Sequence, residues 1–461
     1  MSLSAAIIYH SPVEVHQLLE AGVSPNGIDE YGFTPLIQTA IVNDIRKTSL
    51  LLEYGADVQA QDLTGGTALH WAVNNNNMRI AKLLLDRGAD VNAYTEWGES
   101  VAVKAILRHQ SAMRELLNQY GANFNFANDF INAKLLGHRF ELRGYADILN
   151  HKGYFVEMDL EGFFLEFTLD TIYQSLFDFK KNFISKHLSE YLPVVEQLLQ
   201  VFRISRQLIK YEHYQIDAEK HQHQINTLLK YPILLLPVSY EGHAISLIKF
   251  KQFLGKCDRS LNETFQENVM FYHIQNNRLF DFAFMRHLMY KRQTREFIDE
   301  EMLELFNIKP WFELPIGQQI TGNCSWANIE SSIPVILFFA QMLLKPKANQ
   351  QEQEIFKKFA LFFYQQWREW DKDRALHFVI KEQNQANPAR KASIISLLAA
   401  LLFQRCTANI PHEYERASKI IPILKTPGYE YILKSYIEIY CHHFPTAAGK
   451  NLQQLLRLIS E

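Results

Sequence analysis

The sequence predicts a mostly α-helical protein that also contains an α+β region. A helical-repeat solenoid at the N-terminus is followed by an α+β domain and a helical C-terminal region. Three observations lead to this fold class: a motif repeats through the first quarter of the chain, two apolar strand-like runs lie near its centre, and helical apolar spacing follows residue 346. The predicted domains are residues 1–126, residues 127–345 with a helical insertion at about 169–229, and residues 346–461.

Length and composition are those of an ordinary folded protein. The 461 residues suffice for about two to four domains. Apolar residues make up 48% and charged residues 21%, and the net charge is -3, which disfavours direct nucleic-acid binding through a basic face. The four cysteines have no metal-type spacing and are too few for a disulfide framework, so we expect reduced thiols and no metal site.

The sequence lacks the motifs that are typical of several functional classes. The chain contains no G-x-x-x-x-G-K-[ST], dinucleotide G-x-G-x-x-G, H-E-x-x-H or paired C-x-x-C pattern, so we expect no cofactor. No uninterrupted apolar stretch reaches the ~20 residues that span a bilayer. The N-terminus lacks the basic region of a Sec signal peptide, so any secretion is expected to use another route.

The N-terminal motif has a period of 33 residues. Gly22, Gly55, Gly88 and Gly121 recur at this interval, each preceded by a pair of leucines. Thr67-Ala68-Leu69-His70-Trp71-Ala72 supplies a threonine-capped helix start in the same phase. This pattern resembles ankyrin repeats, and it predicts about four repeats within residues 1–126.

The loops between the repeats contain candidate protein-binding residues. Rigid aromatic side chains and acids at exposed turns are common in interfaces, while the alternative is that they only shape the turns. The residues predicted to bind a partner protein are Asp29, Tyr31, Asp62, Tyr94 and Trp97.

A histidine and an acid follow in the central region. Two apolar runs, residues 232–240 and 244–250, predict paired strands, and His243 begins the second run after Gly242. If the next strand pairs antiparallel with its turn centred at residues 250–251, Asp258 lies opposite His243. A later register would place Asn262 there instead. Taken alone, a histidine in this position is more often structural or solvated than catalytic.

Cys324 stands where an apolar helix is predicted to start. The helix would cover residues 327–344, and Gln318 precedes the cysteine by six residues. A thiol among the free N–H groups of a helix start is favoured as thiolate, and a nearby amide could hold an oxyanion. The alternative is that Cys324 is a small buried apolar residue.

Together, His243, Asp258, Gln318 and Cys324 resemble the active site of the ubiquitin-like-protein-protease and YopJ-type cysteine proteases. These enzymes have a papain-like α+β fold with a permuted order. The resemblance implies that Cys324 is the nucleophile, His243 the base, Asp258 its orienting acid and Gln318 an oxyanion donor. The sequence departs from the usual pattern because Ala244 replaces a tryptophan and Asn323-Cys324-Ser325 replaces Asp-Cys-Gly.

The whole chain also resembles the ankyrin-bearing effectors that Legionella delivers into host cells through its type IV secretion system. This resemblance implies a host protein bound by the repeats and a protein substrate whose amide or isopeptide bond is hydrolysed, in the host cytosol or nucleus. Two alternatives are an acyltransferase that uses the same triad and a non-catalytic scaffold that binds host protein.

Overall fold

The computed structural model describes residues 2–182, 188–260, 269–319 and 322–460. Eight short helices form the four predicted pairs. The threonine cap is present, since Thr34 Oγ1 accepts a hydrogen bond from the Ile37 N–H at 3.2 Å. A glycine with φ between 81° and 87° follows the second helix of each pair, as the period of 33 predicts. The helices are α1 (Leu3–Tyr9), α2 (Pro12–Glu20), α3 (Pro35–Ile41), α4 (Ile45–Glu53), α5 (Ala68–Asn74), α6 (Met78–Asp86), α7 (Ala102–Leu107) and α8 (Ser111–Gln119).

A longer helix and a β-hairpin follow the repeats. Helix α9 covers Phe124–Phe140, and strands β1 (Tyr145–Leu149) and β2 (Phe155–Asp159) pair antiparallel. The described part of the predicted insertion then contains α10 (Leu165–Lys181), α11 (Leu192–Leu208) and α12 (Gln222–Leu229). Helix α11 is amphipathic as predicted and buries side chains such as Val194, Leu198 and Val201.

Five antiparallel strands form the central sheet in the order β3-β4-β5-β6-β7. The strands are β3 (Ile233–Tyr240), β4 (His243–Phe250), β5 (Phe253–Cys257), β6 (Val269–Ile274) and β7 (Ile308–Glu313). The β3–β4 turn is two residues long, with φ of 46° at Glu241 and 80° at Gly242. Almost every side chain of β3 and β4 is buried, which explains why both strands are continuous apolar runs.

Five helices accompany and follow this sheet: α13 (Phe282–Tyr290), α14 (Met302–Leu305), α15 (Cys324–Glu330), α16 (Ser332–Leu344) and α17 (Gln350–Gln385). The run Cys324–Leu344 is, among the described residues, the one helical stretch long and apolar enough to cross a membrane, but 83% of its most apolar window is buried inside the protein. Such burial is typical of a helix in the core of a folded protein. A Cβ on Gly255 of β5 would lie 2.4 Å from Val335 Cγ1, so glycine lets α16 approach the sheet closely.

The chain ends in α18 (Pro388–Arg405), α19 (Pro411–Leu424), α20 (Glu430–Ile437) and α21 (Ala447–Ser460). It divides into two compact units. The first comprises Met1–Leu135, Gly144–Leu160 and Val379–Glu461, and the second comprises Leu136–Arg143 and Glu161–Phe378.

These units differ from the predicted domains 1–126, 127–345 and 346–461. The predicted C-terminal domain is divided, because α17 continues without a break through residue 378 and the helices beyond it belong to the first unit. An ion pair of 2.7 Å between Asp129 of α9 and Arg390 of α18 is one of the contacts within that unit. Composition along the chain cannot report such distant contacts.

Candidate active site

His243 and Asp258 are neighbours at one end of the central sheet. His243 is the first residue of β4, and Asp258 directly follows β5. The imidazole Nε2 lies 2.9 Å from a carboxylate oxygen of Asp258, at hydrogen-bonding distance. The side chains of the two residues are 21% and 9% exposed, so this interaction is largely shielded from water.

The predicted strand register needs a correction. The β4–β5 turn consists of Lys251 and Gln252, with Phe250 paired to Phe253, so the turn is centred one residue later than predicted. The register therefore shifts by two residues, and Asp258 approaches His243 diagonally rather than from the opposite position. A shift of two keeps every side chain on the same face of the sheet, which is why the contact still forms. The alternative partner, Asn262, lies outside the described residues.

Ser260 supports the carboxylate of Asp258. Its hydroxyl donates to a carboxylate oxygen at 2.7 Å, and its backbone N–H approaches the same oxygen at 3.2 Å. Burial would raise the pKa of Asp258, but the hydrogen bonds from His243 and Ser260 outweigh burial and hold that pKa at about 2. Asp258 is therefore ionised at neutral pH and able to orient the imidazole.

Cys324 is the first residue of α15, and its thiol lies close enough to His243 for the imidazole to lower the pKa of the thiol. Since Nε2 faces Asp258, Nδ1 is the ring nitrogen available to the sulfur. Burial would raise the pKa of the thiol, but the hydrogen bonds with His243 and with the backbone N–H of Ala244 outweigh burial, so the pKa of Cys324 is lowered. This is the environment of a nucleophilic cysteine rather than of an inert buried one.

The pKa of the imidazole is shifted in the opposite direction to that of the thiol. Burial would lower the pKa of His243, but its interactions with Asp258 and Cys324 outweigh burial and raise the pKa to about 9. The Tyr240 ring packs edge-on against the imidazole, with ring centroids 5.4 Å apart. The two opposite shifts favour a thiolate–imidazolium pair, and such a pair can attack an acyl carbon and protonate a leaving group.

Gln318 is not joined to this group by any contact that the structure records among the described residues. It is exposed, and its backbone carbonyl accepts a hydrogen bond from Arg259 Nη2 at 3.3 Å. The chain between it and Gly322 includes residues 320–321, which lie outside the described residues. The role of Gln318 as an oxyanion donor therefore stays a prediction.

Two further residues hold this region together. Asn328, buried one turn after Cys324, donates to the Ala244 carbonyl and accepts from the Arg259 N–H. The Arg259 side chain binds the carbonyl of Gly317 at 2.7 Å, which anchors the segment before the cysteine. Sequence reasoning missed both residues. The signal for Asn328 was an amide inside an apolar helix, four residues after the cysteine.

The predicted protein-binding residues divide into two groups. Tyr31 and Trp97 are 68% and 54% exposed at the loop tips. Tyr94 instead packs edge-on against Phe126, with ring centroids 5.5 Å apart.

Asp29 and Asp62 have structural roles that the sequence did not reveal. Asp29 accepts hydrogen bonds from the N–H groups of Tyr31 and Phe33 at 3.0 and 2.8 Å. Asp62 is 8% exposed and accepts from the Trp71 indole at 3.0 Å. Burial would raise the pKa of Asp62, but its hydrogen bonds outweigh burial and lower that pKa. Both carboxylates shape their own loops, so Tyr31 and Trp97 remain the exposed aromatic candidates.

The described residues contain no group of three or more His, Cys, Asp or Glu side chains placed to hold a metal ion.

The helix pairs define an ankyrin-repeat protein, and the model for ankyrin repeats matches residues 48–129 with three copies. A solved structure entitled "Structure of Legionella Effector AnkH" is 40% identical, covers 100% of this chain and 97% of that chain, and superposes with a TM-score of 0.84. The chain belongs to the family of this Legionella ankyrin effector. No protein among the curated sequences matches.

Proposed function

We propose that this protein binds a host protein through its ankyrin repeats and hydrolyses an amide or isopeptide bond with Cys324, His243 and Asp258. One observation supports the enzymatic part above all others. A single imidazole lies 2.9 Å from a buried carboxylate and also acts on a neighbouring thiol, whose pKa it lowers. A carboxylate that orients an imidazole, which in turn faces a thiol, is the arrangement that cysteine nucleophiles use to attack acyl carbons.

The proposed reaction begins from the thiolate–imidazolium pair. The sulfur attacks the acyl carbon and forms a C–S bond, and the C–N bond then breaks as His243 gives its proton to the leaving amine. Water then attacks the thioester while the imidazole accepts a proton, which releases the acid and regenerates the thiol site. Asp258 keeps the imidazole oriented throughout.

The negative oxygen of the intermediate needs hydrogen-bond donors. The backbone N–H groups of Ala244 and Ser325 point toward the thiol and lower the pKa of Cys324 in the resting state. Donors of this kind lie close to where the oxyanion would form, and Gln318 is the proposed side-chain donor beside them.

The repeats supply the proposed recruitment function. Ankyrin repeats are protein-binding elements, and Tyr31 and Trp97 offer exposed aromatic anchors at two loop tips. The solved relative is described as a Legionella effector. By that relationship we propose that this protein also acts inside a host cell, in the cytosol or nucleus, after delivery by a type IV system.

A thiol-directed activity probe tests the enzymatic proposal. An electrophile that reacts preferentially with activated cysteines, such as a small vinyl sulfone, should label Cys324 in the full-length protein. Labelling should fall at least tenfold in His243→Ala, because the imidazole no longer stabilises the thiolate, and remain in Cys441→Ser.

Three results would contradict hydrolysis. No labelling at neutral pH in a folded sample indicates a non-catalytic binding protein. Equal labelling of wild type and His243→Ala shows that the imidazole does not activate the thiol. Acetylation of host proteins on addition of acetyl-coenzyme A, without any amide cleavage, shows an acyltransferase with the same triad.

A further inference from the structure

A single buried amide connects the three segments that carry the proposed triad. Asn328 is 1% exposed and lies on α15, four residues after Cys324. Its Nδ2 donates to the Ala244 carbonyl at 2.6 Å, and its Oδ1 accepts from the Arg259 N–H at 2.7 Å. Ala244 directly follows His243, and Arg259 directly follows Asp258.

The two partners define the orientation of the amide. One is a carbonyl that can only accept, and the other is an N–H that can only donate, so the side chain must present nitrogen to β4 and oxygen to the segment after β5. Aspartate or leucine at position 328 would satisfy one or neither of these groups. Only an amide of this length serves both at once.

The surroundings argue against a general packing role. The other side chains of α15 and α16 that face the interior are mostly apolar, and burying an amide among them is unfavourable unless both of its ends are hydrogen-bonded. Gln341 offers a comparison, since it is 5% exposed and bonds the carbonyls of Leu337 and Phe356. Neither of those carbonyls belongs to a residue beside the triad.

We infer that Asn328 is a positioning residue that sets the placement of the Cys324 thiol against His243 and Asp258. This inference deepens the proposed function and rests on it, because it assigns a purpose to the spacing of the same triad. The residue touches no reacting atom. It acts by tying α15 to β4 and to the segment after β5.

The Ala244 backbone shows how a small displacement would reach the thiol. Its carbonyl accepts from Asn328 at 2.6 Å, and its N–H lies close enough to Cys324 to lower the pKa of the thiol. Loss of the amide leaves that carbonyl and the Arg259 N–H unpaired in the interior, so β4 and α15 move apart to admit water. Such a movement lengthens the imidazole–sulfur contact as well, and sub-ångström changes of this kind are costly at reacting centres.

The groups that face the thiol are otherwise the same in an Asn328 variant. His243 and Tyr240 act on it from the sheet side, and Asp258 acts on His243. None of them is altered by substituting position 328 with alanine. A change in thiol reactivity would therefore report the geometry of the site rather than a new charge.

The test measures alkylation of Cys324 by iodoacetamide from pH 5 to pH 10 in the full-length protein, with peptide-resolved mass spectrometry to separate it from the other cysteines. We expect Asn328→Ala to slow alkylation at pH 6 about tenfold, because the pKa of Cys324 rises when the thiol is displaced from His243. Asn328→Leu removes both hydrogen bonds, keeps the branched shape of asparagine and adds no charge, so it should slow alkylation to a similar extent. It also carries the test if the alanine variant does not fold.

The matched control is Gln341→Met, which removes a buried amide from the same helical run. It should alkylate within about twofold of wild type even if its melting temperature falls, because it leaves the triad in place. Unchanged alkylation in both Asn328 variants would overturn the inference. An equal loss in Gln341→Met would overturn it too, since the effect would then be general destabilisation.

These outcomes are separable from those of the proposed function. If wild type alkylates rapidly at pH 6 and the Asn328 variants do not, but no amide bond is cleaved, hydrolysis fails and the positioning role stands. If cleavage is observed and the Asn328 variants react like wild type, the positioning role alone fails.

Discussion

At the scale of single residues, the chemistry depends on opposite pKa shifts in three neighbouring groups. The pKa of His243 is raised to about 9, while the pKa values of Asp258 and Cys324 are lowered. The imidazolium therefore loses its proton only as pH rises through about 9. The thiolate is lost as pH falls through the lowered pKa of the cysteine. The ion pair consequently exists between the lowered pKa of Cys324 and the raised pKa of His243.

The lowered pKa of Asp258 predicts that the folded protein loses stability at low pH. Its folded pKa of about 2 lies below its ordinary 3.8, so its stabilising contribution is complete above pH 4 and disappears as pH falls through 2. We expect wild type to lose roughly 1–2 kcal/mol more than Asp258→Asn between pH 5 and pH 2, measured by urea unfolding. Ser260→Ala should also lose less stability than wild type over this pH range, but by a smaller margin. If the free energy of unfolding depends on pH in the same way in wild type and Asp258→Asn, the prediction is wrong.

A residue could be predicted from the sequence when its neighbours in the chain form a recognisable pattern. His243 after Gly242 and Cys324 before an apolar run are local patterns. Asn328 and Arg259 act through partners 84 and 58 residues away, Ala244 and Gly317 respectively. Nothing near them in the sequence marks those partners.

At the scale of elements, the close approach of α16 to the sheet depends on one glycine. An added Cβ on Gly255 would lie 2.4 Å from Val335 Cγ1, and a buried branched side chain has little room to move away. We expect Gly255→Ala to destabilise the protein by about 1–3 kcal/mol, measured by chemical denaturation.

The control for this prediction is Gly317→Ala, because an added Cβ there meets nothing within 4 Å. Its effect on unfolding should be small. The double variant Gly255→Ala with Val335→Ala should recover part of the lost stability by removing the clash. No recovery would mean that the close approach is not the cause.

The register of the β4–β5 hairpin shows the limit of reasoning at this scale. Without a Gly or Asn turn signal, the sequence could not locate the turn to the nearest residue, and Lys251 adopts φ of 48° instead. Alternation along the strands still placed His243 and Asp258 on one face. That is why the pairing was predicted although its register was wrong.

At the scale of the whole molecule, a period of 33 residues was enough to predict the repeats, and the ankyrin family match confirms them. The division into two units could not be predicted, because Val379–Glu461 joins the first unit through contacts far apart in the chain. The resemblance of the complete chain to Legionella ankyrin effectors is supported by the 40% identity to AnkH over its full length.

The exposed aromatic side chains of the repeats are predicted to contribute to binding of the partner protein. Full-length Trp97→Ala should retain at least tenfold less of the host protein that wild type captures from a cell lysate, because a buried aromatic anchor contributes about 2 kcal/mol or more to an interface. Phe444→Ala is the matched control, as its side chain is 72% exposed outside the repeats. Equal capture by wild type and Trp97→Ala would exclude this loop from the interface.

The central claim is that His243 lowers the pKa of the Cys324 thiol. Ultraviolet absorbance of the thiolate measures this directly when wild type is titrated against Cys324→Ala. The difference signal should appear below pH 9, the ordinary pKa of a cysteine thiol, in wild type and move to higher pH in His243→Ala, since only the backbone N–H groups of Ala244 and Ser325 then oppose the effect of burial. A wild-type signal that first appears above pH 9, or one unchanged in His243→Ala, would contradict the account.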